Sequence, residues 1–90
     1  MREFEIKPEL EKKLVKLSKR DSALYQNLLR KIEEILNSFD ISHYIYLRHN
    51  MKDSQRVHLG HFVLVFSYDP AKDFISFEDF EHHDRIYNSK

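Results

Sequence analysis

Gln55-Arg56-Val57-His58-Leu59-Gly60-His61-Phe62-Val63-Leu64-Val65-Phe66-Ser67-Tyr68 is the stretch on which the fold turns. From Gln55 to Leu59 polar and apolar residues alternate, so Val57 and Leu59 share the inward face of a strand while Arg56 and His58 lie on the other. Gly60, the only glycine of the chain, ends that strand at a tight turn. A second strand follows from His61 to Tyr68. Phe62, Leu64, Phe66 and Tyr68 point one way, and His61, Val63, Val65 and Ser67 the other. Asp69-Pro70-Ala71-Lys72-Asp73 has turn chemistry, and Phe74 to Phe80 reads as the last strand.

Upstream the period changes. Arg2 to Lys7 alternates and places Phe4 and Ile6 together, as a short half-buried strand would. Pro8 suits the first turn of a helix, where its missing N–H costs nothing. Glu9 and Glu11 at its start, with Lys16, Lys19 and Arg20 at its end, complement the helix dipole. Leu10, Leu14 and Leu17 form its apolar stripe. Asp21 is placed to cap a second helix that runs to about Asn37, with Leu24, Leu28, Ile32, Ile35 and Phe39 as the stripe. So short a link predicts a helical hairpin. Tyr44 to Leu47 reads as a short strand or extended segment, and Asn50 to Ser54 as a loop. Helices segregated from strands imply an α+β fold in the order β-α-α-β-β-β, a small twisted antiparallel sheet packed on the hairpin. Ninety residues make one domain, 1–90.

Composition narrows the function. There is no cysteine, which excludes disulfides and thiolate chemistry. Phe62 to Phe66 is the longest apolar run, far short of the roughly 20 residues of a membrane helix. Met1-Arg2-Glu3-Phe4-Glu5 has no apolar core and does not read as a signal peptide, so the expectation is a soluble, cytoplasmic protein with no membrane partner. Fifteen basic residues balance fifteen acidic ones, so no global field draws the chain to nucleic acid. Distribution is uneven. All six histidines (His43, His49, His58, His61, His82, His83) fall in the second half, beside Arg48, Lys52, Arg56 and Arg85. Any nucleic-acid site is therefore local and sensitive to pH near neutrality.

Two segments carry a family resemblance. Arg56 to Phe66 resembles the strand pair "R-I-R-V-G-D-Y-R-V-I-Y" of the RelE/ParE toxins, and Phe80-Glu81-His82-His83-Asp84-Arg85-Ile86-Tyr87 resembles their "F-D-H-H-D-x-Y" ending. The element order matches over nearly the whole chain. The histidine content looks closer to the YafQ-like members than to the arginine-rich type. The resemblance implies a type II toxin–antitoxin system: a toxin that cuts messenger RNA in the ribosomal A site without a metal or other cofactor. It also implies a helical antitoxin from a neighbouring gene and a toxin–antitoxin hetero-oligomer. The sequence departs from the family at Val63, where an arginine is common, at His58, and in the acidic Glu78, Asp79 and Glu81.

Such cleavage needs a base for the ribose 2′-hydroxyl, positive charge on the phosphate and an acid for the leaving 5′-oxygen, roles that histidine and arginine suit. The assignment is His58 as general base, His83 as general acid and Arg56 as phosphate clamp. Tyr87 stacks or positions, and His61, Arg85, Lys52 and Arg48 support substrate binding. Plainer readings stand beside these. Arg56 and His58 are also what the wet side of a sheet looks like, Tyr87 serves equally as a packing anchor, and adjacent His82 and His83 do not both face one site. His58, His61 and His83 as zinc ligands is a weaker rival, since neither a helical histidine motif nor a cysteine pair supports it. Two other functions remain open: a ParE-like gyrase poison without catalysis, and a degenerate member that only binds its antitoxin or regulates with it.

Overall fold

The computed structural model describes the backbone of residues 2–39 and 54–88 and the side chains of 2–39 and 55–85. Strand β1 (Glu3–Ile6) leads into α1 (Pro8–Arg20) and α2 (Ser22–Leu36). Strands β2 (Ser54–Leu59), β3 (Phe62–Asp69) and β4 (Phe74–His82) follow, and a short helix α3 (His83–Asn88) ends the described chain. The expected segment Tyr44–Leu47, and the candidates Arg48, Lys52, His43 and His49, lie outside the described residues, as does the Tyr87 side chain.

Local chemistry explains the hairpin. Pro8 opens α1, Glu9 and Glu11 sit in its first turn and Lys19 and Arg20 in its last. The Asp21 carboxylate accepts the Leu24 N–H at 3.1 Å and caps α2. The end of α2, capped by Asn37, is where the sequence places it, but Phe39 does not join the stripe. The helix stops at Leu36, which is buried, and Phe39 is 101% exposed. Phe39 continues the 3.6-residue period only if the helix does, and the last turn closes at Asn37, whose N–H reaches the Glu33 and Ile35 carbonyls.

The four strands form one sheet in the order β1-β4-β3-β2. Both β2–β3 and β3–β4 are antiparallel, but β1 pairs with β4 in parallel, so the sheet is mixed rather than wholly antiparallel. A parallel neighbour needs a long crossover, and everything between Ile6 and Phe74 supplies it. The core forms where the hairpin residues Leu10, Leu28, Ile32, Ile35 and Leu36 meet Val57, Leu64, Phe66, Ile75, Phe77 and Phe80 of the sheet. Alternation along β3 is as expected: Leu64 and Phe66 belong to that cluster, while Val63 and Val65, though buried, do not.

Strand β4 runs two residues beyond Phe80 because its pairing with β3 continues to Phe62↔His82. One irregularity interrupts the ladder. Val65 faces Asp79 and Phe66 faces Phe77, leaving Glu78 as the extra residue of a β-bulge. Past the end of β1 the edge of β4 is covered by α1 instead. There Lys13 Nζ donates to Asp79 Oδ1 at 2.6 Å, to Glu81 Oε2 at 2.7 Å and to the Phe80 carbonyl at 3.4 Å. At the opposite end Arg2 acts as a clasp. Its guanidinium donates to Asp73 at 2.8 Å and to the Ser38 carbonyl, and it lies over the Tyr68 ring. Asp73, at φ 52°, also accepts from the Tyr68 hydroxyl at 2.7 Å. These hydrogen bonds, from Tyr68 first and Arg2 second, hold the Asp73 carboxyl below its ordinary range.

Two outcomes follow from this packing. Gly60 has φ +62° and nothing within 4 Å of where a Cβ would stand. Gly60→Ala therefore meets only backbone strain and should cost about 1 kcal/mol in urea unfolding, with Gly60→Asn costing less. The second outcome concerns Lys13. Burial alone would push its ammonium down, but the bonds to Asp79 and Glu81 outweigh this and hold it above its ordinary 10.5. The Lys13 hydrogen bond in turn holds Glu81 below 4.5. The Glu81 contribution is thus fully present above pH 4.5 and lost as pH falls through its lower folded value. The Lys13 contribution is present below pH 10.5 and lost as pH rises through its raised one. Lys13→Met should lower Tm at pH 7 by about 4–8 °C, a loss of about 1 kcal/mol after solvent screening, and flatten both limbs of the Tm–pH curve.

Candidate nucleic-acid site on the open face

The helical hairpin leaves one side of the sheet uncovered by α1 and α2. The β2 alternation that sends Val57 and Leu59 to the core sends Arg56 and His58 to this open side, opposite Val65 and Val63 of β3. Both valines are enclosed, at 8% and 0% exposure, so the face is not a uniformly wet surface. Helix α3 lies against β3 and β4. Its first residue is tied down by the His83 N–H, which donates to the His61 carbonyl at 2.7 Å. One hydrogen bond thus links the tail of the chain to the β2–β3 turn.

That link orders four imidazoles into two pairs. The His58 and His83 rings stand 5.7 Å apart at a tilt of 35°. The His61 and His82 rings stack at 6.1 Å and 12°, and His82 also meets the edge of Phe62 at 5.4 Å. The adjacent His82 and His83 therefore face different ways, one towards the turn and the core side, the other across the open face. The Asp84 N–H donates to His82 Nδ1 at 3.2 Å, and an Asp84 oxygen lies 3.5 Å from His83 Nδ1. His58 and His83 are exposed, while the Nε atom of Arg56 is enclosed. An exposed imidazole pair and, two residues from His58 on the same strand, a guanidinium are the side-chain types that proton exchange and anion binding require.

Other expected site residues are placed elsewhere. Arg85, one turn after Glu81, has Nε 3.9 Å from Glu81 Oε1. It lines a groove of 470 Å³ between α1 and the end of β4, with Lys13, Leu17, Arg20 and Phe80. That position is on the hairpin side. Tyr87 belongs to α3 through its backbone. His61 contributes its carbonyl and its stack with His82. Among the described residues no three histidine, aspartate or glutamate side chains gather as a metal site requires. None of the described helices is long and apolar enough to cross a membrane.

Sequence reading missed two features of this face. One is α3: the run His83-Asp84-Arg85-Ile86-Tyr87-Asn88 is too short to show a helical period, and only Asp84 in its first turn hints at a helix start. The other is the bulge. It turns Glu78 onto the open face, where the Ser67 hydroxyl donates to Glu78 Oε2 at 3.0 Å.

No family model matches the chain. A protein of Methanocaldococcus jannaschii that bears the toxin name RelE4 is 47% identical over 91 aligned positions, spanning all of this chain and 95% of that one. Among solved structures, the isolated Escherichia coli RelE toxin superposes with a TM-score of 0.73 at 20% identity, covering 98% of this chain and 93% of the other. The intact E. coli RelBE toxin–antitoxin complex gives 0.72 at 19% identity, with 91% and 96% covered. The structural likeness shows a shared fold. With the sequence identity to the archaeal relative across the full length, it establishes that the chain belongs to the RelE toxin superfamily.

Proposed function

We propose that this chain is the toxin of a type II toxin–antitoxin pair and cuts messenger RNA on the ribosome as an endoribonuclease. The observation that carries the reading is the His58–His83 pair, 5.7 Å between rings, beside Arg56 on the open face. In the reaction His58 takes the proton of a ribose 2′-hydroxyl, and the 2′-oxygen attacks the adjacent phosphorus. The P–O5′ bond breaks, leaving a 2′,3′-cyclic phosphate. His83 delivers a proton to the departing 5′-oxygen. Arg56 offsets the charge that builds on the non-bridging oxygens. Attacking and leaving oxygens lie on opposite sides of phosphorus, so the two rings part when substrate enters. Their exposed side chains leave room for that movement. Tyr87, at the end of α3, is assigned to stack on or position a base, and His61, Arg85, Lys52 and Arg48 to assist substrate binding.

The superfamily membership supports a toxin, and the E. coli complex supports a cognate antitoxin that binds this chain as a hetero-oligomer; both partners are assigned to the cytoplasm as part of the proposal. An amphipathic helix from such a partner would bury apolar anchors on the toxin surface. Induced expression should arrest growth and yield transcripts with new 5′ ends. His58→Ala and His83→Ala should each lower cleavage about 100- to 10,000-fold while the variants stay folded. Undiminished toxicity of both variants would overturn the assigned roles. Gyrase inhibition with intact transcripts would overturn the ribonuclease reading itself.

A further inference from the structure

The open face is divided by charge. Register places Arg56 and His58 on β2, valines on β3, and Glu78, Asp79 and Glu81 on β4, with Glu5 beyond them on β1. These carboxylates are not equivalent. Asp79 and Glu81 are both held by Lys13, which reaches round the edge of β4. Glu5 accepts from Ser76 at 2.8 Å and has Lys7 Nζ at 3.5 Å. Glu78 is bonded by the neutral Ser67 hydroxyl, which fixes its position and leaves its charge. The bulge is what brings it there, since the slip at Val65/Phe66 adds one residue to β4 and turns Glu78 onto the side that Asp79 also occupies.

We propose that Glu78, fixed on the open face by the β4 bulge and the Ser67 hydroxyl, limits where RNA lies and confines its phosphates to the β2–α3 side. This rests on the ribonuclease reading and adds a specificity-determining residue to it. The lateral scale decides whether the effect is felt. Neighbouring strands lie about 4.8 Å apart, so β4 stands about 10 Å from β2. That is about one Debye length at 0.1 M salt. A carboxylate at this range repels a phosphate seated on Arg56 weakly, and repels one placed over β3 strongly. A strand drifting towards β4 is thus disfavoured, whereas one running along Arg56, His58 and His83 is tolerated.

The test measures binding of a short fluorescent single-stranded RNA by anisotropy, using the full chain and its Glu78→Gln and Glu78→Ser variants. Gln keeps the size and hydrogen bond of the glutamate and removes only its charge. Glu9→Gln, on the first turn of α1, is the control. At low salt both Glu78 variants should bind about two- to tenfold tighter than the parent, the range a single charge exerts at about 10 Å near a surface. The gain should shrink at about 200 mM salt, and Glu9→Gln should match the parent. Equal affinity of parent and Glu78 variants at low salt would overturn the role of Glu78 and leave the ribonuclease reading intact. No RNA binding by any of the proteins would also overturn the role of Glu78, whereas the ribonuclease reading fails only if induced expression leaves transcripts uncut.

Discussion

The register between β3 and β4 is the constraint from which the rest of the structure follows. Leu64↔Phe80 and Phe66↔Phe77 place two aromatic residues of β4 under the helical hairpin, beside Leu10, Leu28 and Ile35. These pairs belong to one face only because a single extra residue is absorbed between them. Without the bulge, a strand of strict period 2 could not turn both Phe77 and Phe80 towards the core, since they are three positions apart. The slip satisfies the core, and the other face receives the surplus residue. A requirement of packing therefore decides which charge stands on the open side.

In a chain of zero formal charge, this arrangement keeps the Arg56 strand apart from the carboxylates of the same face. Acidic residues are not dispersed over the open face but gathered on β4 and β1, where Lys13 from the hairpin pairs with both Asp79 and Glu81 and Arg85 Nε lies 3.9 Å from Glu81. Lys13 therefore has effects in two places. Its ion pairs cover the part of the β4 edge that β1 is too short to protect, where an exposed row of backbone groups would invite pairing with another chain. They also offset part of the negative charge of β4, one strand removed from Arg56 and His58. Arg2 has a corresponding structural part at the far corner, joining the end of α2 to the β3–β4 turn through Asp73.

Much of this was legible in the residues, for reasons that differ by element. Period-2 alternation from Gln55 to Tyr68 predicts which side of each strand is buried, and the placement of Arg56 and His58 opposite the core follows from it. Pro8, Asp21 and the leucine stripe predict the hairpin, because capping and amphipathicity act within a few residues. What the residues leave open is long-range. The parallel β1–β4 pair depends on which sheet edge the first strand reaches, and no local propensity encodes that. Phe39 shows the limit of periodicity: the stripe continues in the sequence after the helix has ended. Family resemblance points to the histidine-rich ending, but only the His83–His61 backbone bond shows how that ending is brought beside His58.

That bond also bears on how the site is held together. Six residues of helix are too few to be stable alone, so α3 owes its position to its contacts with β3 and β4 and to its anchor at the β2–β3 turn. His83 is therefore only as well placed as α3 is docked, whereas His58 is fixed by a strand whose ladder is complete from Ser54 to Leu59. The two imidazoles differ in this respect before any chemistry begins. An imidazole on a complete strand and one on a short docked helix form a pair that can open without unfolding the sheet. The proposed in-line cleavage uses such freedom, since a phosphate seated between the two rings would have to separate them from their 5.7 Å resting distance.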